Sequence, residues 1–483
     1  MTEKFDSLNP ATGEVVASFP VHTVEDVTDA VARARGAAEW WHALDYAGRR
    51  KRLRDWRTLL VQRSDELAEL MHRENGKPVD DALSEVILAI EHLSWAAANA
   101  GRVLGRHRVA PGMLAMNHTA SVTYVPYGVV GVIGPWNYPV HTPLGSISYA
   151  LAAGNAVVFK PSEYTTAIGA WLVDTFAEAV PEYPVFQLVT GLGDTGAALC
   201  RSGVDKLAFT GSTATGKKIM ATCAETLTPV LIECGGKDAL IVAPDADLDL
   251  AVDATIWGGL SNAGQTCVGV ERVYAVESVY DEFVAKVTRE AGQVRGGAQY
   301  GPMTMPSQID VVRRHIDDAL ARGGRAVVGG PDSVQPPYVQ PVVLVDVPED
   351  SAAVQEETFG PTLTITKVRD VDEAIERTNA NPFGLGGAVF SAKQGEQIAE
   401  RLSCGMVSIN SAVTFATVPG LPFGGVRNSG FGRIHGADGL REFAWPRAVT
   451  HLRYTSPIKG LTFKRTPRDT AWLKRLVKTR WGR

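Results

Sequence analysis

At 483 residues the chain is longer than a single hydrophobic core ordinarily supports, so two large domains and an accessory element are expected. Hydrophobic residues at 45% and charged residues at 21% are ordinary for a folded globular chain and exclude collagen-like, coiled-coil and disordered classes. The net charge of −5 is uneven, because residues 457–483 carry nine basic side chains against Asp469 alone.

Acidic Glu3 and Asp6 stand where a secretory leader would be basic, and the longest apolar runs fall well short of the ~20 residues of a spanning helix. A cytoplasmic location follows as an expectation. The five cysteines, Cys200, Cys223, Cys234, Cys267 and Cys404, have no paired CxxC spacing, and the ten histidines show no HExxH pair, so no metal is expected.

In chain order, Glu14 to Phe19 reads as a strand, and Thr23-Val24-Glu25-Asp26 opens an Ala-rich helix with a capping residue and early acids. Two more helical stretches run to about Gly105. Arg108 to Tyr127 interleaves Thr, Val and Tyr with apolar residues, as in a protruding hairpin. Strands at Val129–Ile133, Ala156–Phe159, Val185–Val189, Lys206–Thr210 and Val230–Glu233 then alternate with helices near Gly145–Ala153, at Thr166–Ala179 and from Gly216. That alternation predicts a doubly wound α/β sheet, and a second α/β alternation runs from about Leu240 to Phe423. A strand at Ala448–Tyr454 precedes the basic tail, where Trp472, Leu473, Leu476, Val477 and Trp481 recur at helical spacing. The tail carries no nucleic-acid readout motif, so no nucleic-acid partner is expected; it suits peripheral membrane contact or a helix packed on an oligomer.

Chemistry points first to Cys267, in Gly264-Gln265-Thr266-Cys267-Val268-Gly269. A thiolate is a strong nucleophile near neutral pH when it sits in a polar, Gly-rich setting, whereas Cys200 and Cys404 sit among small and apolar residues. Glu233 ends the apolar strand Pro229-Val230-Leu231-Ile232 and enters Cys234-Gly235-Gly236-Lys237, where a desolvated carboxylate can serve as a base or, more plainly, as a helix cap. Asn137, in Gly134-Pro135-Trp136-Asn137-Tyr138-Pro139, is an amide fixed between two prolines; it can donate in an oxyanion hole or satisfy its own turn. Phe209-Thr210-Gly211-Ser212 follows a strand and opens a helix, so its backbone N–H groups can meet a pyrophosphate, although it is not GxGxxG. Lys160-Pro161-Ser162-Glu163 ends another strand with an ammonium and a carboxylate suited to ribose hydroxyls or to each other.

Taken in this order, with Asn9-Pro10-Ala11-Thr12-Gly13, Glu356-Glu357-Thr358-Phe359-Gly360-Pro361 and Pro422-Phe423-Gly424-Gly425, these segments resemble the non-CoA-acylating aldehyde dehydrogenase superfamily along nearly the whole chain. The resemblance implies a Rossmann-like NAD-binding domain (1–107 and 127–235), an α/β catalytic domain (236–425), and a small β oligomerisation element (108–126 and 446–456), with 457–483 as a basic tail. It implies that Cys267 is the nucleophile, Glu233 the general base, and Asn137 with the Cys267 backbone N–H the oxyanion hole. Trp136, Lys160, Ser162, Glu163, Gly211, Ser212, Glu357 and Phe359 would hold the cofactor, and Glu163 would repel a 2′-phosphate, favouring NAD over NADP. Tyr138, Val140, His141, Gly145, Thr266, Val268 and Phe415 would lie near the aldehyde tunnel. A homodimer or homotetramer is expected.

The implied reaction is NAD-dependent oxidation of a medium or long aliphatic or aromatic aldehyde to its acid through a Cys267 thiohemiacetal and thioester. A succinate-semialdehyde-type enzyme is the alternative, although Gly145 stands where such relatives often have a carboxylate-binding Arg. A CoA-acylating enzyme is disfavoured by Glu233, and a structural, crystallin-like member by the intact Cys267, Glu233 and Asn137. Three positions depart from the family pattern. Ser146 and Ile434 replace a Lys and a Glu thought to carry the base's proton away, and Cys234 replaces a Leu.

Overall fold

From Val129 onward the alternating strand and helix signals resolve into two separate parallel sheets in a computed structural model of the chain, which describes residues 3–482. In the first sheet the strand order is Gly430–Phe431, Val230–Cys234, Lys206–Gly211, Val129–Ile133, Ala156–Lys160, Phe186–Leu188, parallel except for the first. From central Val129–Ile133 the chain moves outward through two strands and then returns to the other side. This reversal leaves a crevice at the carboxyl ends of Val129–Ile133 and Lys206–Gly211, where open α/β sheets bind ligands. Strands such as Ala156–Lys160 are buried throughout, as parallel strands covered on both faces must be.

Residues Gly235 to Asp238 lead directly into the second sheet, ordered Arg325–Val328, Val342–Val345, Thr362–Val368, Arg272–Val276, Ala239–Val242, Gly387–Phe390, Ser408–Ile409; only its first strand is antiparallel. The chain finally comes back to the first body. Gly430–Phe431 pairs with Ile232–Glu233, and the helix Gly436–Glu442 packs on the helices Val79–Leu104 and His141–Ala153, so residues 430–443 belong to the cofactor body, beyond the boundaries that the sequence suggests for it.

Thr23 caps the first helix as expected, accepting from the Asp26 N–H while Asp26 bonds back. Four helices, not three, precede Gly105, because Tyr46–Gln62 and Ser64–Asn75 are broken at Arg63 by backbone geometry with no Pro or Gly to announce it. The helix expected from Gly216 starts at Thr213, where the Ser212 hydroxyl accepts from the Thr215 N–H. A short helix at Gly193–Arg201 has no clear periodicity in the sequence.

The ribbon is a three-stranded sheet of His107–Val109, His118–Pro126 and Ala444–Leu452, the last starting four residues before its expected position. Every residue from Trp445 to Leu452 is exposed, and that edge has no neighbour among the described residues. The tail forms the helix Pro467–Trp481, nearly all of it exposed. No described helix is long and apolar enough to cross a membrane.

Candidate active site

Cys267 is presented by a strained loop. Asn262, Ala263 and Gly264 take left-handed conformations in succession (φ 52°, 56° and 68°), which non-glycine residues hold only where surroundings dictate it. At Gly264 a Cβ would collide with the Gly360 carbonyl, so this glycine is required twice over. Side-chain amides fix the loop: Gln265 Nε2 donates to the Asn262 carbonyl (2.9 Å) and Gln265 Oε1 accepts from the Thr304 N–H (2.8 Å). Asn137 Nδ2 donates to the Gln265 carbonyl (3.0 Å), which brings the predicted oxyanion donor to the loop of the predicted nucleophile. The amide has a second hydrogen to offer.

Behind Asn137 lies a support that sequence reasoning misses. Lys77 and Glu85 form a fully buried ion pair, and Lys77 Nζ also donates to the Asn137 carbonyl (3.2 Å). Glu85 Oε1 accepts the N–H groups of Val140 and His141 (2.8 and 3.0 Å). A second buried pair, Lys237–Glu271, braces the other wall. Glu271 accepts the N–H groups of Thr358 and Phe359 (2.8 and 2.9 Å), orienting the segment that carries Glu357. The one signal in the sequence is a Lys beside glycine, in Gly76-Lys77 and Gly236-Lys237; the partners, at differing separations, have none.

Glu233 is the next-to-last residue of its strand, with both carboxylate oxygens buried and lacking a hydrogen-bond partner. Burial raises its pKa to about 7, countered in part by the nearby Thr210 hydroxyl and Cys267 thiol. Burial also pushes the Cys267 thiol well up, and the carboxylates of Glu233, Asp238 and Glu357 add to that, so Cys267 rests as a thiol. A carboxylate poised near neutrality beside a half-buried thiol can take its proton or activate water.

A cleft of ≈ 630 Å³ opens between the sheets at the predicted crevice. Its lining contains all the sequence-derived cofactor residues, Trp136, Lys160, Ser162, Glu163, Gly211, Ser212, Glu357 and Phe359, together with Asn137, Glu233 and Cys267. Tyr164, Gln308 and Cys200 line it as well and are not anticipated by the sequence. Lys160 is buried, its ammonium donating to the Pro161 carbonyl (3.1 Å) and standing 4.0 Å from Glu163. Glu357 Oε1 accepts the Gly236 N–H (3.1 Å), and a Cβ on Gly235 would overlap that carboxylate. The Trp136 and Phe359 rings meet edge to face, centroids 5.5 Å apart. An under-partnered buried cation, a carboxylate and an open helix start at Ser212 suit a dinucleotide's ribose and pyrophosphate.

None of the expected tunnel residues lines that cleft. Tyr138 Oη and Thr266 Oγ1 are 2.9 Å apart, and Val268 and Phe415 are buried close by in the same apolar core. His141 lies there too, but in unexpected company. Histidines 92, 141 and 435, scattered in sequence, converge with ligand atoms within 4.8 Å of one another. Ser146 and Ile434 are both buried, and Ile434 Cδ1 would lie 3.0 Å from a Cβ on Gly145; an ionised pair here would need full desolvation. Cys234 turns from Glu233 toward the helix Thr213–Ala224, its thiol pushed up to about 12 mainly by burial, as inert packing requires.

Known proteins share this sequence pattern and fold. The aldehyde dehydrogenase family matches residues 1–449. The chain is 36% identical to the 4,4′-diapolycopene aldehyde oxidase of a Methylomonas species, over 96% of this chain and 87% of that protein. It is also 36% identical to a succinate-semialdehyde dehydrogenase [NADP(+)] assigned in Mycolicibacterium smegmatis, over 92% and 87%. The crystal structure of the NADP-dependent glyceraldehyde-3-phosphate dehydrogenase of Bacillus halodurans, complexed with NADP, superposes with a TM-score of 0.89 at 31% identity, covering 94% of this chain and 96% of that one. The chain belongs to the aldehyde dehydrogenase family and is an oxidoreductase that acts on aldehydes.

Proposed function

We propose that the chain oxidises medium or long aliphatic or aromatic aldehydes to carboxylic acids, with NAD as its preferred cofactor. The observation that carries this reading is Glu233, buried without a partner beside Cys267 at the end of the dinucleotide-shaped cleft. Cys267 adds to the aldehyde carbonyl as its proton passes to Glu233, and the resulting oxyanion is met by the Asn137 amide. Bound in the cleft, the nicotinamide supplies the hydride acceptor. Once Glu233 has released that first proton to solvent, it takes a proton from the water that attacks the Cys267 thioester; the acid leaves, and the Cys267 sulfur departs as a thiolate that is reprotonated. Ile434 and Ser146 leave the Glu233 proton no ionised side chain to pass to at those positions.

The buried apolar surroundings of Val268, Phe415 and Phe423 favour an apolar aldehyde. Gly145 cannot carry a cationic side chain, since a Cβ would lie 2.7 Å from His435 Nε2, and this weighs against a semialdehyde. For the cofactor, the Glu163 carboxylate in the cleft opposes a 2′-phosphate. The open strand edge at Trp445–Leu452 suits pairing with a second copy in a dimer or tetramer. The tail suits an anionic bilayer, with Leu461, Phe463, Trp472 and Trp481 exposed among basic side chains. Full-length protein is expected to pellet with anionic but not zwitterionic liposomes; pelleting unchanged by Trp472→Ser with Trp481→Ser would remove the membrane contact.

Rapid mixing of Glu233→Gln with NAD and an aliphatic aldehyde tests the chemistry. The steady state should fall some 10²–10⁴-fold below wild type, and the first equivalent of reduced cofactor should also form more slowly, because Glu233 serves as base in both steps. In wild type the steady-state rate should fall as the pH drops through about 7, because protonated Glu233 cannot act as a base. An unchanged steady-state rate in the variant would remove Glu233 from the mechanism.

A further inference from the structure

We propose that His92, His141 and His435 form a binding site for one divalent transition cation of the imidazole-preferring kind, such as Zn²⁺ or Co²⁺, beside the aldehyde face of the active site. Three separate elements deliver these rings: the helix Val79–Leu104, the first turn of His141–Ala153, and the residue before Gly436–Glu442. All three side chains are buried, at 0%, 9% and 1% exposure. Their ligand atoms lie within 4.8 Å of one another, while tetrahedral Zn²⁺ with Zn–N bonds near 2.0–2.1 Å requires nitrogens roughly 3.4 Å apart. Small ring rotations close that gap.

The hydrogen bonding is what a metal site requires and what a packed core avoids. His92 Nε2 faces the Ala416 carbonyl at 3.1 Å. A carbonyl can only accept, so the ring proton sits on Nε2, and Nδ1 presents a lone pair to the cluster. Metal-ligating histidines are oriented in this way, with the second nitrogen donating to a backbone carbonyl. Four ring nitrogens in this one place, His92 Nδ1, His141 Nδ1 and both of His435, are buried without a partner. Unsatisfied buried polar groups are destabilising, and a cation accepting three lone pairs satisfies three of these nitrogens at once. The charged groups facing them are Lys77, toward His141, and Glu85, which pairs with Lys77.

The backbone is shaped to fit this cluster. His435 sits at φ 62°, a left-handed conformation, and a Cβ at position 145 would lie 2.7 Å from its Nε2. Gly145, which the sequence alone marks only as lacking a charged side chain, makes room for a ligand. With three protein nitrogens the cation keeps an open position for water or a substrate oxygen. The expectation of no metal rests on spacing along the chain, which says nothing about rings converging from three elements.

The test is Co²⁺ titration of full-length apoprotein, read by ligand-field absorption and by metal content after gel filtration. One Co²⁺ per chain with tetrahedral intensity and no thiolate charge-transfer band is expected in wild type and equally in Cys267→Ala. The signal should be lost in His92→Gln and His435→Gln and weakened in Gly145→Ala, with far-UV circular dichroism and NAD binding reporting that each variant is folded. Should the histidine variants fail to fold, nitrogen hyperfine couplings in Cu²⁺-loaded wild type decide the same question: couplings from three imidazoles support the site, and fewer than three count against it. Absence of stoichiometric binding, retention of the signal in the folded histidine variants, or a thiolate band that disappears with Cys267 would overturn the proposal. None of these readouts depends on which aldehyde or cofactor the enzyme uses.

Discussion

The two sides of Cys267 are built on opposite plans. On the cleft side, buried polar groups have fewer partners than they can use: Lys160 has a neighbouring carbonyl and a distant carboxylate, and the Glu233 oxygens have none. Such groups are costly in an empty pocket and valuable once a polar ligand arrives, so that side is shaped for a molecule that comes and goes. On the side we propose for the aldehyde, Val268, Phe415, Phe423 and Ile434 are buried in one apolar core, and the main polar concentration is the three imidazoles. The first side is suited to recognition by hydrogen bonding, and the second mainly to excluding water, apart from the unpartnered ring nitrogens of the histidine cluster. They share a foundation, because the Lys77–Glu85 pair holds the Asn137 carbonyl on one side and the His141 backbone on the other.

Breaking that foundation should have the largest effect. Lys77→Met leaves Glu85 charged, buried and unpaired, a situation that costs roughly 3–5 kcal/mol. The urea midpoint should drop accordingly with an unchanged slope, and both aldehyde turnover and the proposed cation binding should suffer. Adding Glu85→Gln removes the orphaned charge and should restore a large part of the stability. A loss below about 1 kcal/mol in the single variant, the scale of an exposed pair, would show that the two sides are supported independently.

Asn137→Ala should separate the sides. Loss of one oxyanion donor typically lowers kcat by about 10²–10³-fold while leaving substrate binding nearly untouched. Cofactor affinity should hold within error, since the cleft contacts at Lys160 and Glu357 remain, while stability should fall by about 1 kcal/mol with the hydrogen bond to the Gln265 carbonyl. A rise in KM with unchanged kcat would mean that Asn137 binds the aldehyde without stabilising the oxyanion.

The contrast also explains what the sequence disclosed. Strand ends, glycine turns and a lone strongly nucleophilic residue are local signals, and the cleft is made of them: Gly211-Ser212 after one strand, Lys160 at the end of another, Glu233 at a third. Parallel topology then gathers those ends in one crevice, so Cys267, Glu233 and the cofactor residues are legible from the sequence. Long-range pairings are not local. Lys77 meets Glu85 and Asn137, and Lys237 meets Glu271 and Thr358, through backbone paths that no periodicity encodes. The histidine cluster draws on positions 92, 141 and 435, and His435 reaches it only because the chain returns to pair Gly430–Phe431 with Ile232–Glu233. Arg63 breaks a helix without a breaker residue for a similar reason: tertiary packing overrides propensity there.

The smallest expected effect sharpens the cleft side alone. Glu163 is partly exposed at the rim of the crevice, accepting from the Ser162 hydroxyl at 3.3 Å and standing 4.0 Å from Lys160. If this carboxylate selects against a 2′-phosphate, Glu163→Gln should narrow the NAD-to-NADP ratio of kcat/KM about tenfold, the ~1.4 kcal/mol expected of one partly screened charge. Most of the change should appear as a gain with NADP, because removing a repulsion improves the ligand that suffered it. Raising the ionic strength in wild type should move the ratio in the same direction, by less. NAD turnover should fall only modestly, since Gln still accepts from ribose hydroxyls through its carbonyl oxygen. A variant that lost NAD activity without gaining NADP activity would show Glu163 to be a ribose ligand and nothing more, and would place discrimination elsewhere along the crevice.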